Sequence, residues 1–209
     1  TDVFFIGLNM GEIAIMALPL TLIVMTGEID LSVAAMLGLS STLLGYLVQN
    51  HWSIWLAMIA VLVVGAVGGA FNGFLITTLG LPSIAVTIGT LALFRGIAEI
   101  VLGAKSVTSF PAKFTNIGIK PLPHTELSVS AGIFIVMAII TGIVLHATPA
   151  GRSLVAIGLQ SEAAFFADLR VKRIKFLLYV ASGVICAFAG ILWTYRHSSS
   201  RYDNGIGLE

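Results

Sequence analysis

The chain has 209 residues, of which 57% are apolar and only 10% charged, and its mean hydropathy is +1.02 with a net charge of +1. Ordinary soluble domains carry about 25% charged residues, so composition argues against a soluble fold. With no basic cluster denser than Arg170, Lys172, Arg173 and Lys175, it also gives no case for nucleic-acid binding. A single cysteine, Cys186, rules out an intrachain disulfide framework and a cysteine-based metal site, and its apolar surroundings mark it as a small hydrophobe.

The charges are unevenly placed, because no Asp, Glu, Lys or Arg occurs in the 64 residues from Leu31 to Phe94. A helical bilayer crossing takes roughly 20 apolar residues, so this run alone has room for about three. In chain order, apolar segments are predicted at about 4–25, 31–48, 53–78, 83–102, 128–147 and 174–195. The breaks between them fall at Thr26 to Asp30, Gln49 to Trp52, Gly80 to Pro82, a longer connection over 103–127, and a polar, basic stretch over 148–173. Each apolar segment is much longer than the ~10 residues of a barrel strand and lacks period-2 alternation, which sets aside a β-barrel. Helices satisfy their own backbone groups in hydrocarbon. The expected fold is therefore all-α: one polytopic transmembrane bundle over 1–209, with about six spans. The missing initial Met and the abrupt end at Leu208-Glu209 suggest a fragment of a longer protein.

Orientation follows from Lys and Arg in the connections. The 148–175 connection holds Arg152, Arg170, Lys172, Arg173 and Lys175, whereas the 103–127 connection holds Lys105, Lys113 and Lys120. The more basic one is expected in the cytoplasm, which places Gly27 to Asp30 and 79–82 inside, and 49–52 and the tail 196–209 outside.

Gly65, Gly69 and Gly73 recur at four-residue spacing and leave one helix face almost bare, so a neighbouring backbone can pack closely there. Asn72 beside them serves either structural bonding or a substrate path. Asp30 serves either as a cap, accepting from the N–H of Ser32 or Val33, or as a polar group on a path. Arg95 and Glu99, at i and i+4, form either a structural pair or part of such a path. Nothing supports catalysis or a metal. Gly103 to Ser106 lacks the adjacent Gly-Lys of a phosphate loop, no H-E-x-x-H occurs, and His51, His124, His146 and His197 fall at segment ends or in loops.

Within the basic connection, Ser161 followed by Glu162, Ala163 and Ala164 is a good helix start, with Phe165, Phe166 and Leu169 on the apolar side. This short helix either rests on lipid or docks a cytoplasmic partner.

Several of these residues fall in an order that resembles the permease subunits of ribose-type ATP-binding-cassette sugar importers. They are Gly27-Glu28-Ile29-Asp30-Leu31-Ser32-Val33, with Glu28 where the family has a second glycine; Gly69-Ala70-Phe71-Asn72-Gly73; Thr87-Ile88-Gly89-Thr90 with Arg95-Gly96; and Gly151-Arg152-Ser153 with Ala156-Ile157-Gly158, leading into Glu162-Ala163-Ala164. The resemblance spans essentially the whole chain. It implies a permease of the bacterial cytoplasmic membrane, paired with a second copy or a paralogue. It also implies a cytoplasmic ATPase that hydrolyses ATP, no cofactor on this chain, and a periplasmic or extracellular solute-binding protein. Gln160 to Leu169 would be the coupling segment, although the family often has Ser-Gly where Ala167-Asp168 stands. Asp30, Asn72, Thr87, Thr90 and Arg95 would be candidate contacts along a path for a neutral monosaccharide. The tail Ser198 to Gly205 looks nearest to rhamnose-type permeases. The other class kept open is a stand-alone channel or secondary transporter; the charge-free central run speaks against ion coupling.

Overall fold

A computed structural model describes residues 2–103, 105–121, 125 and 127–208, the side chains of residues 2, 3, 5, 6 and 9 excepted. His124, one of the histidines considered above, lies outside the described residues. Within them the chain forms helices α1 (Asp2–Met25), α2 (Val33–Gln49), α3 (Ile54–Thr77), α4 (Ser83–Leu102), α5 (Ala112–Ile119), α6 (Val129–Ala147), α7 (Pro149–Leu159), α8 (Ser161–Phe166) and α9 (Val171–His197), and no strand among the described residues. All six predicted apolar segments are helices with ends within a few residues of those expected. Four of them, α3, α4, α6 and α9, are long and apolar enough to cross a membrane; the apolar part of α1, Met10–Met25, and α2 are shorter. The shortness of α2 has a structural cause, because its first turn lies inside the bundle.

Helix α9 is the hub, packing against α3, α2, α1 and α5. Its closest partner is α3, and glycine makes the approach possible. A Cβ on Gly69 would strike the Tyr179 carbonyl, one on Gly65 the Gly183 carbonyl, and one on Gly73 would press on Phe176. Helix α2 fills the centre: 13 of its 17 residues are buried, and Met36, Leu37 and Leu39 pack with Phe94, Cys186 and Ala189 in one apolar cluster. Cys186 is thus a core residue. Helix α6 lies at the rim on α1, leaving Val136, Ile139, Ile140 and Ile143 exposed, as expected of a surface turned to lipid.

Two helices had no forerunner in the sequence reading. In the 103–127 connection, α5 seats on the C-terminal end of α9, where Gly118 lets it touch the Arg196 backbone and Phe114 sits between Trp55 and Tyr195, with ring centroids at 5.3 and 5.6 Å. In the 148–173 stretch, α7 carries Pro149 at its first turn, a favourable place for proline. It docks through two glycines: a Cβ on Gly151 would strike the Leu145 carbonyl, and one on Gly158 the Met25 carbonyl. The tail adds a contact that the sequence reading did not address: beyond α9 it turns at Ser198 (φ +48°), and Ser200 and Gly205 are buried against α2.

Overpacking a glycine contact costs about 1–3 kcal/mol. Gly69→Val should therefore lower the thermal unfolding midpoint of the detergent-solubilised protein by several degrees. Gly89→Ala, where no atom lies within 4 Å of the new Cβ, should leave it unchanged or slightly raised.

Candidate functional site

Between Met25 and Val33 the chain is not helical, although it runs among α3, α4 and α9. Every polar group there needs a partner, because unsatisfied backbone groups are costly away from water. Gly27 makes the first turn at φ +80°, a conformation that glycine adopts without strain. Glu28 pairs with Lys175 at the base of α9, Oε1 to Nζ 2.5 Å, so the residue that departs from the Gly-Gly pattern joins the break to α9. The Ile29 N–H donates to Ser83 Oγ at 3.2 Å, and its carbonyl accepts from Tyr179 Oη at 3.4 Å and, at the limit of bonding, from Thr87 Oγ1 at 3.5 Å.

Asp30 is the centre of this latch. One carboxylate oxygen accepts from the Ser32 N–H at 3.0 Å and the Ser32 hydroxyl at 2.6 Å, and the other accepts from Ser182 Oγ of α9 at 3.2 Å. The Asn72 amide of α3 donates to Ser32 Oγ at 2.9 Å. Asp30 therefore holds the start of α2 as a local cap and ties it to two further helices. It is 4% exposed and Asn72 2%. The space between Asp30, Asn72 and Ser182 is about 10 Å³, enough for about one water and far too small for a sugar. The Asn72 Oδ1 atom faces no hydrogen-bond partner in the structure.

The structure brings Asp30, Asn72 and Thr87 together with Ser32, the cap partner expected for Asp30, and with Ser83, Tyr179 and Ser182, which sequence reasoning had not joined to them. Thr90 lies one turn along, donating to the Thr87 carbonyl at 3.4 Å and bordering an almost wholly apolar groove of about 330 Å³ between α3 and α4. Arg95 is further up α4 and half-buried, with Glu99 exposed. A second polar cluster lies between α1, α6 and α9. Glu12, 0% exposed, accepts from Ser130 Oγ at 2.9 Å and is 3.6 Å from Arg196 Nε, while Arg196 also donates to the Leu8 carbonyl. The signal for this pair, an ionisable group within the first apolar segment and another just past the sixth, was present in the sequence but carried no information on which groups meet.

At the opposite end of the chain's loops, α8 buries Ala164 and leaves Gln160, Glu162, Ala163, Phe165 and Phe166 exposed, Phe165 at 65% and Phe166 at 86%. Ser161 bonds back to the Ile157 carbonyl at 3.0 Å, and Leu169 is half-buried with its N–H on the Ala164 carbonyl at 3.1 Å. Asp168 has φ +63°, a region open to Asp and Asn as well as to glycine. That is why Ala167-Asp168 can stand where the resembled permeases have Ser-Gly.

Asp30→Ala would leave three buried donors without their acceptor, so it should lower stability by about 1–3 kcal/mol. Ser182→Ala, which removes one donor, should cost less; denaturant unfolding of the two solubilised variants gives the comparison.

A family model described as branched-chain amino acid transport system / permease component matches residues 4–209. The autoinducer 2 import system permease protein LsrD of Klebsiella pneumoniae is 34% identical over 207 residues, which cover 94% of this chain and 60% of that protein. LsrD of Yersinia enterocolitica is 34% identical over 202 residues, with the same coverage. LsrC of Salmonella choleraesuis is 33% identical over 198 residues, covering 93% of this chain and 56% of the relative. No solved structure matches the chain. The chain thus spans about three-fifths of the length of these relatives, and it belongs to this permease family as a multi-pass helical protein of the cytoplasmic membrane.

Proposed function

We propose that the chain is part of the permease subunit of an ATP-binding-cassette importer, and that it walls the path of a small neutral polyhydroxy solute. The observation that carries the coupling half of this reading is α8. It is a short helix anchored by Ala164 and by the two glycine contacts of α7, and it turns two phenylalanines outward. An exposed apolar pair on a rigid base suits a cleft on a partner protein, and Gln160 to Leu169 is the coupling segment for a cytoplasmic ATPase. That partner hydrolyses ATP; this chain has no phosphate loop and needs no cofactor of its own. A solute-binding protein delivers from outside, and a second permease copy or paralogue completes the pore. The likeness to both LsrD and LsrC, named as permeases of the autoinducer 2 import system, supports a paralogous pair.

For the path, Asp30, Asn72 and Thr87 form its closed inner latch, with Thr90 and Arg95 further along α4. Closed space of about 10 Å³ at the latch means that transport requires these hydrogen bonds to open. The solute is sugar-like: the rhamnose-type resemblance of the tail and the autoinducer 2 relatives both point to compact molecules rich in hydroxyls, and autoinducer 2 is the first to test.

In proteoliposomes holding the full-length protein, the ATPase and the binding protein, uptake of autoinducer 2 should require ATP. Uptake driven by an ion gradient without the ATPase would overturn the importer reading. Ala163→Asp should abolish co-purification of the ATPase, leaving membrane insertion and thermal stability intact because Ala163 is exposed; unchanged co-purification would count against α8 as the docking element.

A further inference from the structure

The tail beyond α9 is left without a role by the latch and by α8. Its anchors step down α2 in order. Ser200 lies where a Cβ on Gly45 would fall, and its hydroxyl donates to the Ser41 carbonyl at 2.6 Å. The Arg201 carbonyl accepts from Thr42 Oγ1 at 3.2 Å, and the Asn204 amide donates to Ser41 Oγ at 2.7 Å. The Asn204 carbonyl fills the place of a Gly38 side chain, and Gly205, at φ +82°, comes against the Ala34 carbonyl. From Gly45 to Ala34, at 1.5 Å per residue, the tail descends about 16 Å along α2. It is a re-entrant, non-helical segment in the middle of the bundle.

Irregular backbone at that depth occurs where it is buried in protein or borders a water-filled space. One side of the tail is buried on α2. The other carries Arg201 and Asp203, paired at 2.9 Å with side chains 54% and 35% exposed. Two half-exposed charges facing hydrocarbon would be expensive, so this side is suited to a polar neighbour and not to lipid. The pair is neutral as a unit, yet it is rich in hydrogen-bonding capacity. Guanidinium has five N–H donors and a carboxylate about four acceptor positions, and among the described residues one side-chain bond joins the two. A neutral polyol, whose hydroxyls each donate and accept, matches such a pair better than an ion does.

We propose that the re-entrant tail carries a solute-binding site, in which Arg201 and Asp203 hydrogen-bond the hydroxyls of a sugar-like molecule on its way from the outer side to the latch. The proposal rests on the permease reading for the identity of the solute, while the site itself is tested by binding alone. In the full-length protein made free of cysteine, Ile206→Cys, 62% exposed and with its N–H on the Asp203 carbonyl, should react with a membrane-impermeant methanethiosulfonate added from outside, and autoinducer 2 or D-ribose at millimolar concentration should slow that reaction at least threefold. Tyr202→Cys, between the two charged residues, serves as the second position should Ile206→Cys fold poorly. No reaction at either cysteine, or a rate that neither solute changes, overturns the site. In the reconstituted importer, Arg201→Gln and Asp203→Asn should each raise the KM for uptake at least tenfold, with the thermal midpoint and the ATPase rate stimulated by the binding protein retained. An unchanged KM in both variants also overturns it. Solute-slowed labelling in a wild type that shows no ATP-driven uptake would strike the importer reading and leave the binding site standing.

Discussion

The architecture turns on one constraint: a stretch of non-helical backbone between Met25 and Val33 lies inside an apolar bundle and must find partners for its polar groups. It does so by recruiting side chains from each surrounding helix. Ser83 and Thr87 come from α4, Asn72 from α3 through Ser32, and Lys175, Tyr179 and Ser182 from α9. Because each of these bonds fixes a helix relative to the start of α2, the break sets the positions of α2, α3, α4 and α9 together. The glycine faces of α3 and α9 depend on the same registration, since Gly65, Gly69 and Gly73 meet backbone of α9 only if the two helices are held at one height.

That arrangement gives α8 a short physical route to the latch. Helix α7 rests on the last turn of α1 through Gly158 and on the last turn of α6 through Gly151, both at backbone contact, so no flexible side chain lies between them to absorb a displacement. Just past the Met25 carbonyl, the chain enters Gly27, Glu28 and Asp30. A push on α8 would thus be delivered to the end of α1, and from there to the Glu28–Lys175 and Asp30–Ser182 bonds that close the break. The coupling would be rigid-body motion of packed elements, with the break as the place that yields.

Much of this was legible in the sequence, for definite reasons. Long apolar runs report membrane helices because backbone satisfaction leaves few alternatives, and the predicted ends of α4, at 83 and 102, coincide with the observed ones. Asp30 was readable as a cap because its acceptor geometry toward Ser32 is local. What could not be read was long-range pairing. Ser182 and Lys175 lie about 150 residues from their carboxylates, and nothing in their own neighbourhoods marks them. The Lys and Arg count gave the tail only a side of the membrane; its seat on α2 could not be read, because the complementary feature, Ser41 and Thr42 within the charge-free run, has meaning only once the tail is laid against it. Helix α7 was hidden for a different reason: it is only 11 residues long and lies in a stretch with basic ends, and of its buried residues Gly151, Leu154 and Ile157 only two are apolar side chains, while glycines carry its closest contacts.

Two opposite-charge pairs sit at the two ends of α9: Glu28 with Lys175 near its start, and Glu12 with Arg196 in its last turn. Separating such buried pairs leaves an uncompensated charge and costs several kcal/mol, typically 3–5. At the latch itself the partners of Asp30 are hydroxyls and one backbone N–H. Hydrogen bonds to a charged group contribute about 1.5–3 kcal/mol net, and the loss is smaller where water or another hydroxyl can take the donor's place. If the latch opens for a polyol as proposed, the bonds it gives up are ones that hydroxyls can replace, while the charge pairs hold the frame around it.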